Sequence, residues 1–583
     1  MGKNPGVESK GKKQSFLQGA LILSLAAILT KVIGALFFKI PLQRLSTVAN
    51  GYFSTAYNVY VPIYTVCTAG FPIAVSRMVS ESLTFGRYRD VKAIFRVACK
   101  VFLLTGTIGT LIMLVVSFIY PDFVGIPNSR LTMLVMAPAI LFCCLVSAYR
   151  GVYEGSRNMV PTAVSQIVEA VGKLILGLGL AAGAMRYGQW CFEQGKPVFG
   201  KVAESMDQAT EFTLPYVAAG AMVGVTVGSF LALAYIMIRY RKKGIGITRA
   251  ELAASPRQTP SKDIFRSLLH FAIPVALGTL ATQLTNIIDV VSLQKSLAVV
   301  VEKNGEIMQG IYGAAMAATN ESDMLGYLTG SRDIAITYVN LVPNITLTFG
   351  VSALPVITSA WALKDKKQLR KMVTIVLRMT LLIALPAGIG LSVLAKPIIS
   401  MIYNPTSAEV AGPLLGVLGW AVIFICLVAP INAMLQAMGR ADIPAKIVLV
   451  GGAVKLLLNT TLVMNPHINI MGSAYSTLVC YIVMVVLSLL ALRRTMKMRL
   501  RWRSVFIKPT MAAALCGGAA WGADKLLALV ISPRVATALA ILVAAIVYVA
   551  ALFLLKAITR AEILMLPKGQ KIAQILEKHG WIG

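Results

Sequence analysis

Apolar stretches long enough to cross a bilayer recur along almost the whole of this 583-residue chain. A membrane-spanning helix needs about 20 mostly apolar residues. On that template fourteen spans are expected, at 16–38, 52–78, 101–118, 131–148, 163–182, 216–238, 268–293, 334–361, 373–395, 414–435, 447–463, 473–492, 509–531 and 536–555. Backbone groups inside hydrocarbon must find their hydrogen bonds within the segment, so each span is expected to be a helix and the fold an all-α polytopic membrane protein. Composition agrees: 57% of residues are hydrophobic, 14% are charged and the mean hydropathy is +0.75. The basic start, MGKNPGVESKGKKQ, runs into an apolar stretch too long for a signal-peptide core, with Lys31 inside it, and is read as a retained first span.

The formal net charge of +31 does not point to nucleic acid, because Lys and Arg are not gathered into one domain. They recur in short clusters between spans. With the N-terminus inside, the even-numbered gaps and the two tails hold roughly 38 of them and the odd-numbered gaps about nine. Both termini are therefore expected to be cytoplasmic, with the inner clusters facing anionic membrane lipids. The richest inner gaps are 239–266 and 493–508; the long outer gaps, 183–215 and 294–333, are acidic or mixed. Seven of the eight cysteines fall in or beside spans and Cys191 falls in an outer gap, so no disulfide framework or metal-ligand spacing follows. The three histidines are scattered.

A second constraint is duplication. Arg157 and Pro161 in RNMVP are matched by Arg440 and Pro444 in RADIP, and 444 minus 161 is 283. The same offset links Tyr120 to Tyr403 and the run Pro72 to Ser76 to the run Pro355 to Ser359. A constant offset over so long a stretch means an internal repeat. Six spans separate the copies, an even number, so the halves are expected to be parallel repeats about an axis normal to the membrane, with a central cavity between two six-helix lobes. Near the first span the offset is 255 (Leu29 to Leu284), so the extra 28 residues lie in the 294–333 gap. The expected organisation is a tail at 1–15, an N-lobe at 16–240, a cytoplasmic linker at 241–263, a C-lobe at 264–495, two extra spans within 509–557, and an amphipathic tail at 558–583.

Ionised side chains near the middle of a bilayer cost about 3 kcal/mol or more each and persist where they pair or line a wet cavity. Lys31, Glu169, Lys173, Asp289 and Lys455 are placed there by the span assignment. Gln166, Glu169 and Lys173 share one helical face, and the last two are spaced for an i,i+4 ion pair. For Lys31 and Lys455 no acid stands nearby in sequence, which leaves a cavity-lining role or packing against a distant carboxylate. Lys173 and Lys455 take nearly matching places, 12 and 11 residues after their prolines. Gln283, Asn286 and Asp289 recur every third residue as a polar stripe. Arg77 and Arg378 sit near inner span ends, where they either snorkel to headgroups or meet an entering anionic headgroup. Tyr52, Tyr57, Tyr60 and Tyr64 suit either sugar stacking or an interfacial aromatic belt. Pro62, Gly70 and Pro72, with Pro343 and Pro355, mark helix breaks at corresponding places.

The runs AGFPIAVSRMVSE, RGVYEGSRNMVPTAVSQIVE, LAKPIISMIY and LQAMGRADIP, followed by GGAVKLLLN and INIMGSAYSTLVCY, resemble the polysaccharide flippases related to stage V sporulation protein B. That group lies close to the lipid II flippases, within the multidrug, oligosaccharidyl-lipid and polysaccharide exporter superfamily. The resemblance spans nearly the whole chain. It implies two six-helix lobes, two extra helices and alternating access, with basic residues meeting a diphosphate and Lys31 in the corresponding part of the first span. The function so implied is translocation of an undecaprenyl-diphosphate-linked glycan precursor, lipid II foremost, to the outer leaflet. Lys31, Arg77, Glu169, Lys173, Asn286, Asp289 and Lys455 are the candidate substrate-binding residues. No cofactor is called for, and a monovalent cation or a proton stands as the coupling ion. The rivals are a cation-coupled multidrug exporter of the same superfamily and a membrane-embedded glycan polymerase or ligase. Cationic drugs would favour unpaired acids over a basic inventory, and an enzyme would need an acid–base constellation that the sequence does not display. A cysteine placed at Asn304 is expected to react with an impermeant reagent added outside; reaction from the cytoplasmic side alone would refute the topology.

Overall fold

With no water to bond to, the spans form helices, and helices account for most of the described residues. A computed structural model describes residues 16–318, 323–343, 346, 357–403, 405–440, 442–496 and 506–555. The expected amphipathic tail and Pro355 lie outside the described residues. Among those residues, eleven helices are long and apolar enough to cross a membrane, and the protein is a multi-pass membrane protein. Two further expected spans are covered by helices Ser261–Lys303 and Lys508–Leu527, and the 334–361 span is helical at Met324–Val339. The chain divides into two compact units, Met1–Ile287 and Ile288–Gly583.

Of the breaks expected in the first unit, the one at Gly70 and Pro72 is present, whereas Pro62 lies inside the continuous helix Thr47–Thr68, which accommodates it without a break. Helix Thr47–Thr68 opens on Ser46, whose Oγ accepts from Ala49 N at 3.0 Å. It stops before Gly70, which takes a left-handed φ of 74°, and the chain restarts as Phe71–Thr84 with Pro72 in its first turn. Helix Arg130–Gly155 ends in a turn closed by Asn158 N on Tyr153 O at 3.0 Å, and Pro161 opens Val160–Gly172. The second unit repeats this locally. Arg440 N closes on Leu435 O at 3.0 Å after Pro405–Ala437, and Asp442–Leu458 then starts around Pro444. Six-to-one closures of this kind satisfy the last carbonyls of a helix. Each restarted helix then widens into a π-helical turn, Lys173–Gly177 in one unit and Asn459–Val463 in the other.

Small residues set the helix spacing in the first unit. Gly220, Gly224 and Gly228 form a four-residue stripe on helix Met206–Lys243. A Cβ at Gly224 would lie 2.3 Å from Gly177 Cα, and one at Gly228 only 2.7 Å from Glu169 O. The stripe presses the backbone carrying Glu169 and Lys173 against its neighbour, the close approach that small residues permit in lipid. Gly151 and Gly155 similarly admit the backbone of Phe71–Thr84, and a Cβ at Gly155 would lie 2.5 Å from Ser76 O. The second unit is built on an apolar core of Val376, Leu381, Ile423, Leu427, Ile431 and Val485, among others. Helices Lys508–Leu527 and Pro533–Leu554 pack on Lys366–Val393, and Tyr548 Oη donates to Leu382 O at 2.6 Å.

Three gaps differ from their expected form. The 183–215 gap is helical as far as Glu193, and Cys191, expected in a loop, is buried with Val198 and Ala209. The 294–333 gap is largely helix, in Ser261–Lys303, Gly305–Ala317 and Met324–Val339. The basic linker is strapped down: Asp90, 5% exposed, accepts from Thr259 N at 2.7 Å and Thr259 Oγ1 at 2.8 Å, and Arg89 N donates to Ser255 Oγ at 3.0 Å. Gly224→Ala is expected to cost about 1–3 kcal/mol through overpacking, whereas Gly183→Ala, whose Cβ meets nothing within 4 Å, should not lower the melting temperature. Thermal unfolding of the two variants in detergent checks this.

Candidate functional site

Each unit gathers charged side chains of its spans into a cluster. In the first, the expected Glu169–Lys173 pair is replaced by another: Arg150 Nη2 reaches Glu169 Oε2 at 3.0 Å, and Arg150 Nε donates to Ser165 Oγ at 2.9 Å. The i,i+4 rule assumes a regular helix, and here the helix widens at Lys173. A guanidinium from the adjacent helix, with its fork of donors, takes the carboxylate instead. Lys173 Nζ lies over aromatic faces, 4.4 Å from the Phe38 centroid, 5.4 Å from Tyr57 and 5.7 Å from Phe53. Among the described residues no carboxylate lies within ion-pair distance of it. Each cation–π contact is worth about 0.5–2 kcal/mol, enough to hold an ammonium in place without neutralising it.

Lys39, at the end of a neighbouring π-helical turn, adds its field to Lys173. Arg150, Lys173 and Lys39 thus bring three positive charges to the surroundings of Glu169. Gln166, on the same face, has a buried Oε1 with no hydrogen-bond partner among the described residues. The tyrosines separate by environment. Tyr52 is buried and its Oη accepts from Asn128 at 3.1 Å, while Tyr57, 37% exposed, begins a ladder through Tyr60 and Tyr64.

In the second unit Lys455 has the distant carboxylate that its sequence neighbourhood lacked. Its Nζ meets Asp289 Oδ2 at 2.7 Å, with the two side chains 14% and 17% exposed. Asn459, at the start of the π-helical turn, donates to Asp289 Oδ1 at 3.0 Å and to Ser292 Oγ at 3.1 Å, and its Oδ1 accepts from Ser476 Oγ at 2.6 Å. Arg332 and the buried Asp333 bring a further charge of each sign to the neighbourhood. The cluster is therefore close to neutral, unlike that of the first unit.

The structure thus brings Glu169 and Lys173 together in one unit and Asp289 and Lys455 in the other. Lys31 is exposed in the last turn of Phe16–Val32, a helix that packs on Val160–Gly172. Arg77 is exposed on Phe71–Thr84. Asn286 is exposed and donates to Gln283 Oε1 at 3.3 Å, so the polar stripe turns inward only at Asp289. Arg150, Arg332, Asn459, Ser292 and Ser476 escaped the sequence reading. Asn459 stands four residues after Lys455, a spacing that could have flagged it; Arg150 is brought to Glu169 only by packing. Among the described residues no three His, Cys, Asp or Glu side chains converge as a metal site.

Comparisons with known proteins agree with this architecture. Residues 341–538 match the family model described as Lipid II flippase MurJ, and residues 16–187 match that described as Polysaccharide biosynthesis protein. Lipid II flippase MurJ of Bacillus subtilis (strain 168) is 24% identical over 499 residues, covering 82% of each chain. Stage V sporulation protein B of the same organism is 24% identical over 467 residues, 79% of this chain and 80% of that protein. Among solved structures, Lipid II flippase MurJ in an inward closed conformation superposes with a TM-score of 0.59 at 14% identity, over 91% of this chain and 98% of that one. An inward-facing multidrug resistance MATE family transporter of the MOP superfamily gives 0.57 at 12% identity, over 82% and 99%. The chain shares their multi-span helical fold, and its sequence is similar to the flippases that its motifs resemble.

Asp289→Ala is expected to destabilise the second unit by about 3 kcal/mol, because it strands the Lys455 ammonium in a largely buried site. The double variant Asp289→Asn, Lys455→Met should recover most of that loss in a double-mutant cycle of unfolding free energies.

Proposed function

We propose that the protein is a flippase that carries an undecaprenyl-diphosphate-linked glycan precursor, lipid II most directly, from the inner to the outer leaflet of a bacterial cell membrane. The cycle is alternating access, with both termini cytoplasmic. The observation that carries this reading is the excess positive charge of the first unit. Lys173 is held on three aromatic faces rather than on a carboxylate, beside an arginine that spans Ser165 and Glu169. A diphosphate crossing a bilayer needs compensating charge, and a protein ammonium not already committed to an acid supplies it at the smallest cost. Lys173 supplies it here, with Lys31, Arg77 and Asn286 of the same unit as outlying contacts for the headgroup. Coupling to a monovalent cation or a proton belongs to the same proposal.

A drug exporter binding organic cations would be served by an unpaired acid. Glu169 and Asp289 are both engaged, by Arg150 and by Lys455, which supports the anionic cargo. No catalytic role is assigned to either cluster, in keeping with relatives described as flippases.

The test is flipping of lipid-linked precursors by protein reconstituted in vesicles. Lys31→Gln and Lys173→Gln are each expected to slow flipping about tenfold or more, equivalent to roughly 1.4 kcal/mol, while Lys31→Arg keeps more activity than Lys31→Gln because charge matters more than shape. Since Glu169 keeps its arginine, Lys173→Gln should change thermal stability little. Unchanged flipping by the double glutamine variant would sink the anionic-cargo reading and favour the cation exporter.

A further inference from the structure

Away from Lys31, Glu169 and Lys173, the first unit has a cavity of about 410 Å³ lined by Asn128, Arg130, Lys201 and Glu211 and by aromatic rings. That is within the range of small-molecule sites, about 300–1,000 Å³. One wall is a two-residue hairpin in which Val198 and Lys201 exchange backbone hydrogen bonds of 2.8 and 3.0 Å. The two turn residues are Phe199 at φ 48° and Gly200 at φ 86°. Such a turn wants Asn-Gly, and a bulky side chain in the left-handed region is strained by about 1 kcal/mol or more. The turn places the Phe199 ring face to face with Tyr216, centroids 3.8 Å apart and planes within 7°, with Tyr187 edge-on at 5.4 Å. Tyr187 stacks in turn on Trp190 at 6.1 Å, and Lys201 Nζ lies 4.8 Å over Phe212.

An interfacial belt sets its rings singly among headgroups. Here Phe199 and Tyr216 stack on one another in the wall of a concavity, with Phe212 beside them, that also offers an amide, a guanidinium, an ammonium and a carboxylate. This is the chemistry of sugar recognition. The C–H face of a pyranose lies on an aromatic plate, hydroxyls bond to amide and carboxylate groups, and a sugar carboxylate is met by basic side chains. Arg130 is paired with Asp122 at 2.5 Å, but with 41% of its side chain exposed it keeps donors for a ligand.

We propose that this crevice is a saccharide-binding site with preference for an acidic sugar. Its identification with the glycan of the cargo rests on the flippase reading; the sugar chemistry of the crevice does not. Lys201 reads the acid, Tyr216 and Phe199 hold the ring, and Asn128 and Glu211 take hydroxyls.

The probes are two soluble sugars, the uronic acid–N-acetylglucosamine disaccharide of hyaluronan and neutral chitobiose, titrated into the full chain in nanodiscs and followed by saturation-transfer NMR. The acidic disaccharide should bind more tightly. Tyr216→Ala should weaken both about tenfold, with Tyr216→Phe restoring binding, and Lys201→Gln should remove only the preference for the acid. Absence of binding at millimolar sugar, or binding indifferent to Tyr216→Ala and Lys201→Gln, would overturn the site. So would competition by phosphatidylglycerol in the nanodisc with no response to sugar, which would mark a lipid-headgroup seat. A protein that binds the sugars here but flips no lipid-linked precursor keeps this site and loses the flippase reading; one that flips precursor but binds neither sugar does the reverse.

Discussion

A charged side chain inside a membrane span has no bulk water to solvate it, so it must be met by a partner, a hydrogen-bond network or a π-face. Much of the interior of this protein follows from that requirement. Glu169 is held by the arginine of a neighbouring helix, Asp289 by Lys455 and Asn459, and Lys173 by three aromatic rings. The helices are arranged so that these partners can reach. The glycine stripe at 220, 224 and 228 brings backbones nearly into contact beside Glu169 and Lys173, and both π-helical turns fall where a charged or amide side chain must be aimed.

The two units share a plan and differ in chemistry. Each ends a helix in the same kind of closure, restarts at a proline and then widens into a π-helical turn. The lysines carried by these elements nevertheless have different fates. Lys455 is paired with Asp289 inside a five-residue polar network, whereas Lys173 lies over aromatic rings. The single-residue difference in spacing from the prolines turns the side chain by about 100 degrees. The two units thus share local elements while the charge balance of their clusters differs.

The segment joining the two expected lobes is more than a tether. Asp90 is buried with both oxygens accepting from Thr259, immediately before helix Ser261–Lys303, and Arg89 and Arg96 add contacts to Leu252, Ser255 and Gln258. A basic linker read from composition as a cytoplasmic gap is therefore a strap fixed to the first unit. It fixes where the helix that carries Asp289 begins.

Length and hydropathy of the spans, prolines and glycines at breaks, and the 283-residue offset were legible in the sequence because each follows from local rules: bilayer thickness, backbone sterics and direct comparison of residues. The family likeness was legible because its motifs are distributed along the chain. What the sequence could not assign were partners. Arg150 stands 19 residues before Glu169 and Asp289 stands 166 before Lys455, and no periodicity connects residues on different helices. The sequence offered Glu169 and Lys173 to each other on helical spacing alone. Only the tertiary structure, by widening one turn and bringing a guanidinium across, decided that Glu169 is held by Arg150 and Lys173 by aromatic rings.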